Sequence, residues 1–454
     1  MNYLIPPILT FSLIFSQFYT FPENIRLTES LDNQKFPEVI IDSNYIHLAW
    51  VSISGNNKNI MYSRSNDFGE SFSQPFQLNF TNNNIVAYSQ SGPRVATYQN
   101  KVYISYTDDR SGYTSVYLNI SEDYGDTWQE EILISDTPYL NAYQDFEVDN
   151  NGNLHLVYYN YAANYALEDV RYRFSFGDNI DFIYSSPIGI VNEEQEPCDC
   201  CQPDLEVDNN GDAYIAYRNN IENNRDTFLA IKRYDQDNFS EYYQVSNFSD
   251  YITFCPSSGP TIDIKDNNIA AAYTIYNTQN GYMDISSLDQ IDFYNPINLN
   301  TESSGFPNYP YVLLDENIHL VWADQVSGNW DVYYGMKNIN TDTMQNIQRI
   351  NNDNTNHIQK DPIIQMYNDT LFLFWSDQRN GNYEIYLSKG ENVTITLGDV
   401  NQDMVIDILD IILVVNFILG QQNPDNFQFF ASDINSDSII NIQDIILLLN
   451  IILN

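Results

Sequence analysis

One short strand pattern, ending in an aromatic residue, recurs seven times along the chain. The copies are Ile46 to Trp50, Val102 to Tyr106, Leu154 to Tyr158, Ala213 to Tyr217, Ile269 to Tyr273, Ile318 to Trp322 and Leu371 to Trp375. They are spaced about 54 residues apart, the length of four short strands and their turns. Each copy follows another apolar strand, often opened by Pro, and leads through a Gly-containing loop into two further strands. A unit of this kind cannot bury both of its faces alone, so the copies must stack on one another. The expected fold is all-β, a propeller of seven four-stranded blades over residues 22–392, with six blades as the other count the pattern permits.

The ends of the array point to closure. Earlier repeats finish on a fourth strand such as Phe76 to Asn79, Glu131 to Ser135 or Ile347 to Asn351, whereas the last repeat stops after Glu384 to Ser388. Asn24 to Thr28 has the fourth-strand pattern and precedes the first copy of strand one. It is expected to complete the last blade and so remove an open sheet edge.

Two turns, Ser65-Asn66-Asp67-Phe68-Gly69-Glu70-Ser71-Phe72 and Ser121-Glu122-Asp123-Tyr124-Gly125-Asp126-Thr127-Trp128, fit an S-x-D-x-G-x-[ST]-[FW] pattern. The Asp can bond the amides of its own turn while Gly supplies a positive φ. The turns resemble the Asp boxes, or bacterial neuraminidase repeats, of the sialidase fold. Asp boxes are structural, so the resemblance implies a fold and leaves the chemistry open.

Near the C-terminus two segments carry calcium-ligand spacing, with oxygen donors at positions 1, 3, 5, 7, 9 and 12 of a loop that runs into an apolar helix. The first offers Asp399, Asn401, Asp403, the carbonyl of Val405, Asp407 and Asp410; the second offers Asp433, Asn435, Asp437, the carbonyl of Ile439, Asn441 and Asp444. No entry helix is expected before either loop. This duplicated module resembles a type I dockerin over residues 397–454, implying a small all-α domain, two calcium ions, and docking to a cohesin-like or cell-surface scaffold protein. Position 6, where Gly is favoured, holds Met404 and Ser438, at a cost of about 1 kcal/mol for a non-Gly residue at positive φ. Positions 10 and 11, which choose the cohesin in dockerins of the cellulosome type, are Ile408-Leu409 and Ile442-Gln443 rather than small hydroxyl residues. A partner unlike an ordinary cellulosomal cohesin is therefore expected.

Nineteen Lys and Arg against 61 Asp and Glu give a net charge of −42, which excludes polyanionic partners such as nucleic acid or an anionic membrane surface. The apolar run Ile8 to Phe15, followed by Ser16-Gln17, reads as a signal peptide over residues 1–16, too short for a membrane span, although its n-region lacks Lys and Arg. A secreted or cell-surface protein is expected.

Chemistry should gather on the face carrying the entries to strand one and the loops joining strands two and three. Three of those loops, at Asp108-Asp109-Arg110, Asp324-Gln325-Val326 and Asp377-Gln378-Arg379, read as turns paired internally by charge. Strand one is innermost, and aligning its copies sets Glu38, Arg94, Asp145, Asp204, Thr261, Tyr311 and Ile363 at one level. Three carboxylates and one Arg there are the catalytic candidates, the Arg suited to holding an anionic group and a carboxylate pair to acid/base work on a glycosidic bond; a solvated rim or an adventitious cation site is the other reading. True sialidases use three Arg, a Tyr-Glu pair and an Asp, with an N-terminal Phe/Tyr-Arg-Ile-Pro motif. That motif is absent, and only Arg94 and Arg218 are well placed for the Arg set. His47, His155 and His319 occupy equivalent positions in separate blades, so they read as packed or rim residues rather than ligands of one metal.

All four cysteines, Cys198, Cys200, Cys201 and Cys255, fall in the fourth repeat. In an exported protein the expected pairing ties Cys255 to one of the trio; a soft metal such as copper or zinc is the second reading. Arg218 and Asp204 beside this cluster are expected to touch ligand, a simple ion pair being the alternative. Two functions remain: a glycoside-directed hydrolase in polysaccharide catabolism, or a noncatalytic glycan- or protein-binding component of an extracellular assembly.

Overall fold

The computed structural model describes residues 15–453 apart from 83, 137–139, 163–166, 178–179, 183, 189–196, 301–304, 340, 342 and 436–438. Residues 1–14, which hold most of the expected signal peptide, lie outside the described residues. Among the described residues two compact units emerge, one of residues 21–389 and one combining residues 15–20 with 390–453.

The first unit is a seven-bladed β-propeller. Six blades are four-stranded antiparallel sheets built from consecutive strands, for example Asn33–Asp42, Tyr45–Ser54, Asn57–Ser65 and Phe76–Gln77 in the first. In the seventh, Gln359–Tyr367, Thr370–Asn380 and the start of Asn382–Thr396 are joined by Ile25–Arg26, whose residues pair with Leu387 and Tyr386. Leu27 N–H adds a bond to the Ile385 carbonyl. Closure is also locked by one acid: Glu384, 1% exposed, accepts from Arg26 Nη2 at 3.0 Å, Thr28 Oγ1 at 2.5 Å and Ser30 N–H at 2.8 Å.

The second strands are buried on both faces because blades stack on either side of them. Trp50, Trp322 and Trp375 are each at most 1% exposed, and each indole N–H finds an acceptor in its own blade: Gln34 Oε1 at 2.6 Å, Asp324 Oδ2 at 3.2 Å and Asp377 Oδ2 at 2.8 Å. His47, His155 and His319 are buried as well, each bonded through Nδ1 to a tyrosine hydroxyl on the third strand, Tyr62, Tyr172 or Tyr334. They are one packing device used in three blades.

The turns at Ser65 to Phe72 and Ser121 to Trp128 each close on their own Asp. Asp67 Oδ1 accepts the Ser71 N–H at 2.9 Å and Oδ2 the Ser71 hydroxyl at 2.6 Å, with Gly69 at φ 75°. Asp123 repeats this with Thr127 and Gly125. Hydrogen bonds from Ser71 and from Thr127 pull the two carboxyls down to about 2.

The second unit contains helices Ile408–Ile418, Asn426–Ser432 and Ile442–Leu453. Asn426–Ser432 ends on Asp433, the first residue of the second loop, so that loop has an entry helix, which corrects the expectation of none. It also contains a strand pair, Phe15–Thr20 against Glu391–Thr396. Phe18, 1% exposed, packs with Ile395, Val400, Ile411, Val414, Phe417 and Leu448, its ring 4.3 Å from that of Phe430.

Candidate functional site

Each inner strand of the propeller is an edge facing the central channel, where an unpaired N–H would be exposed. Proline removes that donor, and six of the seven inner strands carry one near their start: Pro37, Pro93, Pro203, Pro260, Pro310 and Pro362. Register shifts occur at the entries of four of the seven inner strands, between Lys35 and Glu38, Ala142 and Asp145, Asn308 and Tyr311, and Lys360 and Ile363. Phe36, Tyr143, Tyr309 and Asp361 sit within them at φ between 52° and 58°. Such bulges re-aim the following side chain, here Glu38, Asp145, Tyr311 and Ile363.

The seven residues expected at one level, Glu38, Arg94, Asp145, Asp204, Thr261, Tyr311 and Ile363, all line one cavity of about 80 Å³. Arg94 crosses its charged sector. Nε donates to Asp145 Oδ1 at 2.7 Å, Nη1 to Glu38 Oε2 at 3.3 Å and to the Pro93 carbonyl, and Nη2 to the Gln90 carbonyl at 3.0 Å. Asp145 and Asp204 also tie neighbouring blades together. Asp145 Oδ2 accepts the Leu205 N–H at 2.8 Å, and Asp204 Oδ2 accepts the Ile262 N–H at 2.7 Å. One tier down, Asp263 repeats the staple on the Leu314 N–H at 2.6 Å.

Glu147 and Glu206 line the same cavity on that lower tier. Six carboxyls, those of Glu38, Asp145, Glu147, Asp204, Glu206 and Asp361, line so small a space and cannot all ionise. Burial pushes Glu38 up to about 7; the Arg94 guanidinium opposes this and Asp145 adds to it. Burial raises Asp204 and Glu147 well above the usual carboxylate range, reinforced by Asp145, and does the same for Glu206, reinforced by Glu147. Burial pushes Asp263 up to about 7 despite its backbone hydrogen bonds. The funnel is an acidic channel in which burial favours the protonated form of several carboxyls, and among the described residues the one cation that lines it, Arg94, is already paired.

Arg218 does not belong to this cavity, which corrects the expectation that it touches ligand. It is 0% exposed, and its guanidinium is engaged by Asp250 Oδ2 at 2.7 Å and by the carbonyls of Ser258, Arg225 and Thr274. A strand-end Arg so surrounded holds the loops of blades four and five together. The alternative of an ion pair holds, with Asp250 rather than Asp204. Two of the three loop acids pair by charge within their own turns: Asp108 binds Arg110 through two oxygens, each at 2.8 Å, and Asp377 binds Arg379 with 2.6 Å to Nη2. Asp324 instead accepts the backbone N–H groups of Phe306 and Gln325.

In the cysteine cluster Cys200 is bonded to Cys255, with Cα atoms 6.2 Å apart, while Cys198 and Cys201 are buried free thiols.

In the C-terminal loops the position-12 acids fold over their own amides. Asp410 Oδ1 accepts from Val400 and Asn401 N–H, and Oδ2 from Asp407 N–H at 2.9 Å. Asp444 does the same for Ile434, Asn435 and Asn441. Met404 lies at φ 67°, the strained position expected of a non-Gly residue there. Asp407 also caps helix Ile408–Ile418, accepting from Leu409 N–H at 2.7 Å. Asp437 lies outside the described residues. The donors around these turns are carboxylate, amide and carbonyl oxygens, a set that fits a hard cation.

Residues 397–453 match the dockerin type I domain. The chain therefore carries a dockerin. By sequence, no curated protein matches the chain. Among solved structures, an ulvan lyase of polysaccharide lyase family PL25 is 10% identical, with a TM-score of 0.54 over 82% of this chain and 98% of that one. The intramolecular trans-sialidase from Ruminococcus gnavus is 10% identical, with a TM-score of 0.45 over 69% of this chain and 97% of that one. Trypanosoma rangeli sialidase is 12% identical, with a TM-score of 0.43 over 83% of this chain and 58% of that one. At such identities the likeness is one of fold, and the dockerin rests on its own match.

Proposed function

We propose that this chain is a glycan-directed component of an extracellular assembly, exported by a signal peptide at residues 1–16, tethered by its dockerin, and offering the propeller funnel to a neutral sugar. The observation that carries the reading is the dockerin match at residues 397–453 in one chain with an acidic funnel. The choice of a neutral ligand rests on Arg94: its guanidinium is engaged by Glu38, Asp145 and two carbonyls, which leaves little to bind a sugar carboxylate. The surrounding acids repel an anionic ligand in any case.

Hydrolysis of a glycosidic bond asks for one protonated and one ionised carboxyl. Glu38, held protonated up to about 7 by burial, suits the acid, and Asp145 against Arg94 suits its partner. The noncatalytic reading draws on a different observation. Asp145 and Asp204 are engaged as staples between blades, and the cavity of about 80 Å³ is small for a sugar ring. A glycan array of neutral and acidic sugars, followed by product analysis on the hits, tests both. Products that vanish in Glu38→Gln while binding persists support the hydrolase; binding without products supports the binding module; selective binding of acidic sugars sinks the neutral-ligand reading.

The dockerin is proposed to hold two calcium ions and to dock a cohesin-type partner. Ile408 and Ile442 at position 10, with Ile412 and Ile446 one turn later, are 50% to 64% exposed on two equivalent helices. Duplicated exposed apolar patches of this kind mark a binding surface. Calcium-dependent capture of a cohesin, lost in an Ile408→Asp, Ile442→Asp double variant with unchanged helicity, is the expected result. Capture indifferent to both changes would place the partner surface elsewhere.

A further inference from the structure

The fourth blade holds a cluster that neither the funnel nor the dockerin uses. The sulfurs of Cys198, Cys200 and Cys201 lie within 4.8 Å of one another. Cys200 is oxidised with Cys255, and Cys255 is exposed, while Cys198 and Cys201 are 0% exposed. Beside them lies Arg225, 7% exposed, whose Nη1 donates to Cys198 Sγ at 2.6 Å and whose Nε reaches the Ile252 carbonyl. No carboxylate pairs with Arg225 among the described residues. A buried guanidinium needs a counter-charge, and the group in contact with it that can supply one is the Cys198 thiolate.

The neighbouring thiol completes the arrangement. Cys201 Sγ is 3.3 Å from Cys198 Sγ, the geometry of an S–H donating to a thiolate. The two thiols separate accordingly: the Cys201 contact and Arg225 pull Cys198 down to about 7 against its burial, while burial holds Cys201 well above the ordinary thiol value. Thiolates stabilised in this way are nucleophiles. Cys198 Sγ is 3.5 Å from Cys200 Sγ, closer than the 4.0 Å between Cys200 and Cys201. A metal reading fits less well, because Cys200 is already oxidised and the guanidiniums of Arg225 and Arg218 both act on the Cys198 sulfur.

We propose that the cluster is a thiol–disulfide exchange site that takes an external disulfide as its substrate. In the internal step the Cys198 thiolate attacks Cys200 Sγ; the Cys198–Cys200 bond forms, the Cys200–Cys255 bond breaks, and Cys255 leaves as a thiolate at the surface. No outside oxidant or reductant is consumed. The Cys255 thiolate then attacks an external disulfide, forming a mixed disulfide and releasing one thiolate of the substrate. The exposed Cys255 is the delivery end, and the buried pair Cys198 and Cys201 is the reservoir that drives it.

The test uses the full-length protein with 5,5′-dithiobis(2-nitrobenzoic acid), an aromatic disulfide that releases a coloured thiolate, followed by acid quench and peptide mapping. The expected result is one rapid equivalent per chain, an adduct on Cys255, and a Cys198–Cys200 link that was absent beforehand. Cys198→Ser should keep the Cys200–Cys255 bond and lose the adduct. Arg225→Gln should slow the reaction at pH 7 at least tenfold and move its midpoint to higher pH. If either variant fails to fold, the wild-type map decides alone. A native Cys198–Cys201 disulfide, labelling only after denaturation, or stoichiometric copper or zinc in the purified protein would overturn the proposal.

Discussion

Replacing Glu38 by Gln should change how stability depends on pH, and the change can be worked out in advance. Glu38 titrates at 4.5 when unfolded and at about 7 in the funnel, because burial outweighs the help from Arg94. A folded pKa raised above the unfolded one contributes stability that is fully present below pH 4.5 and is lost as pH rises through about 7. The shift corresponds to about 3 kcal/mol, an upper figure because nearby acids share the titration. Gln does not titrate. Measured by urea unfolding at pH 4.5, 6 and 8 with calcium and ionic strength fixed, the variant should gain on the wild type by about 2 to 3 kcal/mol between the first and last conditions. Contributions from the dockerin acids cancel in this difference. Arg94 keeps its 2.7 Å bond to Asp145 in the variant, so the sector should not collapse. A variant-minus-wild-type difference that stays constant across the three pH values would refute the assignment of Glu38 as a buried, protonated acid.

Glu384→Ala should lower propeller stability by about 2 to 4 kcal/mol, since it strands Arg26, Thr28 and the Ser30 N–H at the closure; an unchanged denaturation midpoint would count against a closed ring. Phe18→Ala should cost the second unit about 3 to 5 kcal/mol, read as a lower melting temperature of the helical signal, because Phe18 is 1% exposed among that unit's apolar residues. Calorimetric titration should return two calcium ions per chain, falling to one in Asp399→Ala, together with a gain of helicity on binding; no heat at millimolar calcium would reject the metal loops.

The blades were legible because the second strand of each is buried on both faces and so reads as an unbroken apolar run ending in an aromatic. The outermost strands carry a weaker signal. Phe76–Gln77, Ile132–Leu133 and Ile297–Asn298 are two residues long and half-buried or exposed, so little in their composition is constrained. The strand Phe15–Thr20 left no signal of its own, since it trails an apolar run that reads as a leader. Its pairing with Glu391–Thr396, nearly the full chain away, depends on a contact that no local pattern announces. Arg218 was misplaced for a related reason. Its acceptors come from Arg225, Asp250, Ser258 and Thr274, three loop positions and a strand end whose approach is invisible until the blades stack. The partner of Cys255 could be narrowed to three neighbouring residues, and only geometry selects Cys200.

The level of the inner-strand residues was legible from spacing, but their second job was not, and it decides which of them can report on function. Asp145 and Asp204 each accept a backbone N–H from the next blade, so removing either carboxylate strands a buried donor at about 1 to 3 kcal/mol. Lost activity in Asp145→Ala or Asp204→Ala would then mix chemistry with a loosened ring. Glu38 holds no backbone amide among the described residues; its hydrogen bond is to Arg94, which has three other acceptors. Of the three candidate acids it is the one whose substitution leaves the blades fastened. A loss of turnover in Glu38→Gln with the unfolding midpoint at pH 4.5 preserved would therefore speak for catalysis, where the same loss at Asp204 would not.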